Sequence, residues 1–420
     1  MAPVDNPAAA AYTRRMSMPP TVRFLDRTTP PHIMTLVLLS GLAALAMNMF
    51  LPSLPSMTAY FDTEYGIMQL SVSLFLMGNA VLQLVLGPLS DRFGRRPVIL
   101  ASVAVFVLAT LGTLFATTVE AFLAFRMCQA VVVAGIVLSR AVVRDMVDES
   151  QSASMIGYVT MGMAIVPMIA PVFGGLMDEL FGWQASFVLM LVCGLAILSL
   201  AWADLGETAT VRPASFGAQL RGYPELLTAR RFWSYCAAAT FASGAFFTYL
   251  GGAPFVGTEV YGLSPAKLGL YFGAPAVGYA TGNYLSGRFS VRAGINRMML
   301  WGGIVNAGGL VGLTAAHFAG IATAEVFFGF FVFVGLGNGL LLPNATAGML
   351  SVRPHLAGTA SGLGGAFMIG GGAALAALAG ALLRPGSGPE PLLAITLATA
   401  FAALGAIAYT IARARRVGAL

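Results

Sequence analysis

The chain has 420 residues, 58% of them hydrophobic and only 10% charged, with a mean hydropathy of +0.82. A soluble domain carries about one quarter charged residues, so a water-facing globule is excluded and the bilayer is the solvent that fits. The net charge of +6 comes from 23 basic against 17 acidic residues, but the arginines punctuate apolar stretches, a topology pattern and not a nucleic-acid surface.

Residues 1–31 set six prolines among Arg14, Arg15, Arg23 and Arg27 without periodicity, and read as a disordered tail. They are not a signal peptide, because the apolar run that follows is too long and lacks a small-residue cleavage pattern. From His32 onward, apolar stretches of about 20 residues recur, the length that crosses a hydrocarbon core. The expected spans are 33–55, 67–88, 97–117, 120–143, 153–176, 184–204, 232–253, 267–287, 298–317, 321–343, 356–383 and 389–412. The fold class is therefore an all-α integral membrane protein with twelve transmembrane helices. The longest polar interruption, 205–231, separates a six-helix half at 32–204 from a second at 232–412, and leaves a short tail at 413–420.

Loop charges set the orientation, because basic residues resist translocation. One side receives nineteen arginines and the other only Lys267 and Arg384, so both termini are expected in the cytoplasm. Leu89-Ser90-Asp91-Arg92-Phe93 after the second helix is echoed by Leu285-Ser286-Gly287-Arg288-Phe289 after the eighth, with Gly287 at the place of Asp91. Two pseudo-symmetric halves related in this way place a substrate cavity at their interface near the membrane midplane.

Three stretches carry mechanism. In the loop Gly87-Pro88-Leu89-Ser90-Asp91-Arg92-Phe93-Gly94-Arg95-Arg96-Pro97, Gly87 and Gly94 permit turning and close approach. Asp91 is placed to accept charge-assisted hydrogen bonds, which suggests a conformational latch beyond what positive-inside topology needs. Arg126, with Gln129 one turn on, lies about two turns inside the fourth helix. A cation there costs roughly 2.5 to 3.5 kcal/mol on insertion scales, so it should face protein or a water-filled cavity. The fifth helix holds Gly157, Pro167, Pro171, Gly174 and Gly175; its prolines kink it and its glycines admit a neighbouring backbone.

These residues resemble the signatures of the major facilitator superfamily. The loop matches at every key position, and in the form GPLSDRFGRRP it is similar to the Bcr/CflA group of drug exporters. Arg126 and Gln129 resemble the family's R-x-x-Q-G pattern, associated with proton transfer, with Ala130 replacing its glycine. The fifth helix resembles the antiporter signature, with Val166 and Ala170 replacing two glycines. The resemblance implies proton-driven antiport by alternating access in a bacterial inner membrane, a small amphipathic drug-like substrate, no cofactor beyond the proton gradient, and a monomer.

One departure bears on chemistry. Met47-Asn48-Met49-Phe50-Leu51-Pro52 resembles a segment in which those exporters carry aspartate at the position of Asn48. An amide cannot exchange a proton, so lipophilic cations should be poor substrates and neutral phenicol-type drugs better ones. Coupling then has three open routes: Arg126 with its surrounding water, Glu325 about one turn inside the tenth helix, or none. Export of a metabolite or sugar is the alternative within transport. No membrane nucleophile, metal cluster or paired carboxylate suggests an enzyme, and no P-loop motif suggests an ATP-driven pump.

Overall fold

A computed structural model describes residues 22–147, 149–209, 223–353 and 356–416. Its long elements run as α1 (Ile33–Tyr60), α2 (Tyr65–Phe93), α3 (Arg95–Phe115), α4 (Val119–Met146), α5 (Glu149–Phe181) and α6 (Gln184–Asp204). After a short helix at Tyr223–Leu227 come α7 (Arg230–Phe255), α8 (Pro265–Tyr271 and Ala274–Ala293), α9 (Ile295–Phe318), α10 (Ala324–Val352), α11 (Ala357–Leu382) and α12 (Glu390–Arg416). Among the described residues, 9 of these rods are long and apolar enough to cross a membrane. The rods α5, α7 and α8 fill the remaining expected slots. In α7, Gly, Ser, Thr and Tyr are mostly buried against other helices, so that rod does not need a lipid-like surface all round.

Most rods exceed their expected spans because polar end turns stay helical beyond the hydrocarbon. The largest overrun at a single end is in α10, which passes through Pro343 and ends at Val352 instead of 343. Two rods are broken. In α1, Pro52 and Pro55 each sit in a first turn, so the α-helix stops at Asn48, passes through a 3-10 turn at Leu51–Ser53 and restarts at Leu54. In α8, the break at Phe272 and Gly273 precedes Pro275.

The rods form two six-helix bodies. In the first, α1 packs on α4, α5 and α6, and α3 on α4 and α6; in the second, α7 packs on α10, α11 and α12, and α10 on α8 and α9. The principal helix pairs between the bodies are α2 with α11 and α5 with α8. One end of the bundle carries Arg92, Arg95, Arg96, Arg144, Arg288 and Arg292; the opposite, acidic end carries Asp62, Glu64, Asp178, Glu179 and Glu259.

Residues 22–31, part of the expected disordered tail, make turns anchored on α6. Buried Asp204 accepts the backbone N–H of Leu25 at 2.7 Å and of His32 at 2.9 Å, and the Thr35 hydroxyl at 2.6 Å. Leu25 adopts φ 62° at this anchor. Residues 1–21, most of the expected linker (210–222), His355 and residues 417–420 lie outside the described residues.

Candidate functional site: a buried cation, a backbone seal and a charged brace

Arg126 is fully buried in the first body, at the last turn before α4 passes through a 3-10 segment at Ala130–Val133. Its Nη1 donates to Gln129 Oε1 at 2.6 Å, its Nη2 to the Ala46 carbonyl at 2.6 Å and its Nε to the Ser71 carbonyl at 3.3 Å. Ala46 lies in the turn where the α-helical part of α1 stops, where carbonyls lack a full set of intrahelical partners. Gln129 passes the chain on, donating to the Thr110 hydroxyl of α3 at 2.8 Å. The guanidinium is also sandwiched, 4.2 Å from the Phe50 ring centroid and 4.1 Å from that of Phe75. Of the two expected surroundings the structure has protein: neutral oxygens and aromatic faces, with no carboxylate at ion-pair distance among the described residues.

Asn48 is near this cluster in sequence but bonded elsewhere. Its Nδ2 donates at 2.7 Å to the Ala44 carbonyl of its own helix. Glu325 is separate from the cluster: it is exposed in the first turn of α10 and accepts the Tyr271 hydroxyl at 2.8 Å. It therefore stands at a helix end, away from the buried cation. The other buried charged residues among those described, Asp178 and Asp204, also sit at helix ends, so Arg126 is the fully buried charge at depth, with Arg140 of α4 partly buried nearer the arginine-rich end.

The fifth-helix residues divide their work. A Cβ on Gly174 would collide with the Met49 carbonyl of α1, within the first body, whereas one on Gly175 would collide with the Pro265 carbonyl of α8, across the interface. Pro171 offers its own carbonyl to the close approach of Gly269 on α8. Pro167 is half-buried in the same helix, and Gly157 lies three turns earlier. The α2 and α11 pair closes similarly: a Cβ on Gly66 would come within 3.0 Å of the Gly380 carbonyl oxygen. Two side-chain hydrogen bonds cross between the bodies among the described residues: Tyr65 Oη donates to the Gly251 carbonyl at 2.8 Å, and the Ala266 N–H donates to Glu179 Oε2 at 3.2 Å. Both lie at the acidic end, and none joins the bodies at the arginine-rich end. The conformation is sealed at the acidic end by backbone against backbone.

The loop is a brace inside the first body. Arg95 pairs with Asp91 at 2.5 Å and, through Nε, with Asp145 of α4 at 3.0 Å. Gly94 takes φ 96° to join α2 to α3, and Glu207 then accepts the Arg95 and Arg96 N–H groups at 2.8 and 3.2 Å. A carboxylate is favoured there because the first N–H groups of a helix lack intrahelical partners and carry partial positive charge. Arg96 Nη2 bonds the Trp202 carbonyl at 3.0 Å, while Arg92 is exposed over Phe93. Gly87 has open space around its Cα.

The repeat requires a correction of register. Gly294, with φ 83°, joins α8 to α9 as Gly94 joins α2 to α3, and its N–H bonds the Ser290 carbonyl at 2.9 Å where that of Gly94 bonds Ser90 at 3.0 Å. Ser290, Arg292 and Gly294 are thus the counterparts of Ser90, Arg92 and Gly94, four residues later than the echo at Leu285. The residue at the place of Asp91 is exposed Val291, not Gly287.

The aromatic residues Tyr249 of α7 and Phe327, Phe328 and Phe331 of α10 are buried and pack on one another, so they form core and do not line a cavity. Asn306 pairs with Asn338 at 3.4 Å and Asn344 with Ser286 at 2.8 Å. Sequence reasoning missed Gln69 and Asn79 on α2, both buried, with Gln69 Nε2 and Asn79 Oδ1 lacking a protein partner. The signal was available: an amide within an apolar run seeks a partner.

Residues 36–377 match the Major Facilitator Superfamily. Similar proteins include a bicyclomycin resistance protein homolog of Haemophilus influenzae, 28% identical over 378 residues, covering 87% of this chain and 92% of that protein. The chloramphenicol resistance protein of Pseudomonas aeruginosa is 29% identical over 382 residues, covering 89% and 90%. Multidrug resistance protein D of Escherichia coli is 29% identical over 379 residues, covering 86% and 91%. Among solved structures, a bacterial homolog of the human lysosomal transporter Spinster, inward-facing and unoccupied, aligns with a TM-score of 0.68 over 91% of this chain and 96% of that one at 17% identity, a likeness of fold.

Proposed function

The chain belongs to the major facilitator superfamily of membrane transporters, and on that footing we propose that it exports small amphipathic drug-like molecules by alternating access, in exchange for protons. The observation that carries this reading is the asymmetric interface: two bodies meet backbone to backbone at the acidic end through α2 with α11 and α5 with α8, and the side-chain hydrogen bonds that cross between them among the described residues lie at that end. Rocking about that seal would expose the space between the bodies to one compartment at a time. The excess of arginine supports a cytoplasmic position for the arginine-rich end in a bacterial inner membrane, in which case the described state is sealed toward the outside.

Resistance to drugs in the names of the relatives supports export of such compounds. Enclosed charge narrows the class. With Arg126 as the charge at depth and Asn48 neutral, a lipophilic cation finds no carboxylate to offset its desolvation, whereas a neutral amphipath needs none. Proton coupling cannot use a carboxylate at position 48, which leaves groups elsewhere on the translocation path. The chain would work as a monomer.

A susceptibility panel in a pump-deficient bacterial host tests the reading. Expression should raise resistance to neutral phenicol-type compounds and leave sensitivity to ethidium-like cations nearly unchanged. Equal protection against both would overturn the substrate class, and protection against neither, with altered metabolite release, would overturn drug export.

A further inference from the structure

We propose that the groove between α3 and α6 at the arginine-rich end binds one anionic phospholipid of the adjoining leaflet, with an acyl chain along the groove and the phosphate on Arg27 and Arg96. The groove holds about 750 Å³ and is lined by Leu100, Ala101, Ala104, Leu198 and Trp202 with little polar surface. Since α3 starts at Arg95, its lining positions lie roughly 7 to 14 Å inside the helix end at about 1.5 Å per residue, the depth of the first acyl methylenes. Trp202 is 59% exposed beside the mouth, where indole rings favour the membrane interface.

Two guanidinium groups converge on that tryptophan. Arg27 lies 5.3 Å over its ring, and Arg96 Nη2 donates to its carbonyl at 3.0 Å. Among the described residues neither has a carboxylate ion partner, and Arg96 Nε is buried with no hydrogen-bond partner. The nearby acids are occupied by other donors. Asp204 holds Leu25, His32 and Thr35, Glu207 caps α3, and Asp26 accepts the Thr28 N–H at 3.0 Å. A phosphate satisfies two guanidinium groups by charge-assisted hydrogen bonds.

The preceding segment completes the site. Val22, Phe24 and Leu25 are exposed between and beside Arg23 and Arg27, an alternation of apolar and basic side chains suited to the headgroup boundary. The bond from Leu25 to Asp204 holds this segment to α6, at a backbone conformation that costs a non-glycine residue energy. Bound lipid would thus tie residues 22–27 to α3 and α6.

The test is native mass spectrometry of the full chain extracted from bilayers containing phosphatidylglycerol and phosphatidylcholine. The parent should retain one phosphatidylglycerol. Arg27→Ala/Arg96→Ala should lose it, as should Ala101→Trp, which fills the groove, and the exposed Arg27→Gln alone should weaken it. Arg288→Ala/Arg292→Ala, which removes two exposed arginines from the same end of the second body, should keep it. Undiminished retention in the groove and arginine variants, equal loss in the Arg288/Arg292 variant, or equal retention of phosphatidylcholine would each overturn the assignment.

Discussion

The Arg126 guanidinium lies over the Phe50 ring, its carbon 4.2 Å from the ring centroid, and also over the ring of Phe75 at 4.1 Å. A planar, weakly hydrated cation is needed for that sandwich, and lysine supplies neither the plane nor the fork that reaches both Ala46 and Gln129. Desolvated cation–π contacts and charged hydrogen bonds are each worth about 1 to 3 kcal/mol. Arg126→Lys should therefore lower stability by roughly 2 to 4 kcal/mol on those values, read as a reduced unfolding temperature in detergent. Transport should fall with it. A Lys variant as stable as the parent would mean that charge alone suffices.

Gly174 and Gly175 are adjacent but face different bodies, so the same substitution should have different consequences. Gly174→Ala presses on Met49 inside the first body and should destabilise the fold in every conformation. Gly175→Ala presses on Pro265 across the seal and should shift the population toward states open at the acidic end. Cysteines at Glu179 and Ala266, where the bodies hydrogen-bond at 3.2 Å, measure this. Cross-linking should be efficient in the parent and in Gly174→Ala that remains folded, and reduced in Gly175→Ala. Equal cross-linking in both glycine variants would remove the assignment of Gly175 to the moving interface.

The corrected register makes a constructive prediction. If Val291 and Ile295 correspond to Asp91 and Arg95, then Val291→Asp/Ile295→Arg should rebuild an i,i+4 pair worth about 0.3 to 0.5 kcal/mol. Neither single substitution should reproduce the gain, which is read by a double-mutant cycle on thermal stability. Placing the pair at Gly287 and Val291, as the sequence echo suggests, should give no coupling. In the first body, Arg95→Ala should cost more than Asp91→Ala, because Arg95 also holds Asp145.

The rods were readable from sequence because apolar stretches of crossing length alternate with basic or acidic loops, two signals that constrain each other. Arg126 and Gly175 were readable for a related reason: a cation at depth and a glycine in a kinked helix both demand a neighbour. Which neighbour was not readable. That Arg126 meets Phe50, or that Gly175 meets Pro265, depends on packing between helices distant in sequence. The echo failed because it was matched by residue identity, while the backbone aligns by the positive-φ glycines, Gly94 and Gly294. The anchoring of residues 22–31 was missed since Asp204, at a helix end, reads as solvated until its three donors are placed.

Asn48 offers the most direct test of selectivity. Its amide donates to the Ala44 carbonyl at 2.7 Å and the residue is 3% exposed. Aspartate has no proton to offer that carbonyl unless it is itself protonated, and burying an unpaired carboxylate costs several kcal/mol. Asn48→Asp should therefore be tolerated only while it holds a proton or a cation, the property that the neutral parent lacks. In proteoliposomes the variant should gain ethidium-like efflux and a substrate-induced pH change that the parent does not show with that cation. Neutral compounds should be exported no better than before. If ethidium handling is unchanged while thermal stability rises, the new carboxylate has paired with Arg126, two residues from whose Ala46 contact it sits, and exclusion of cations must arise elsewhere in the path.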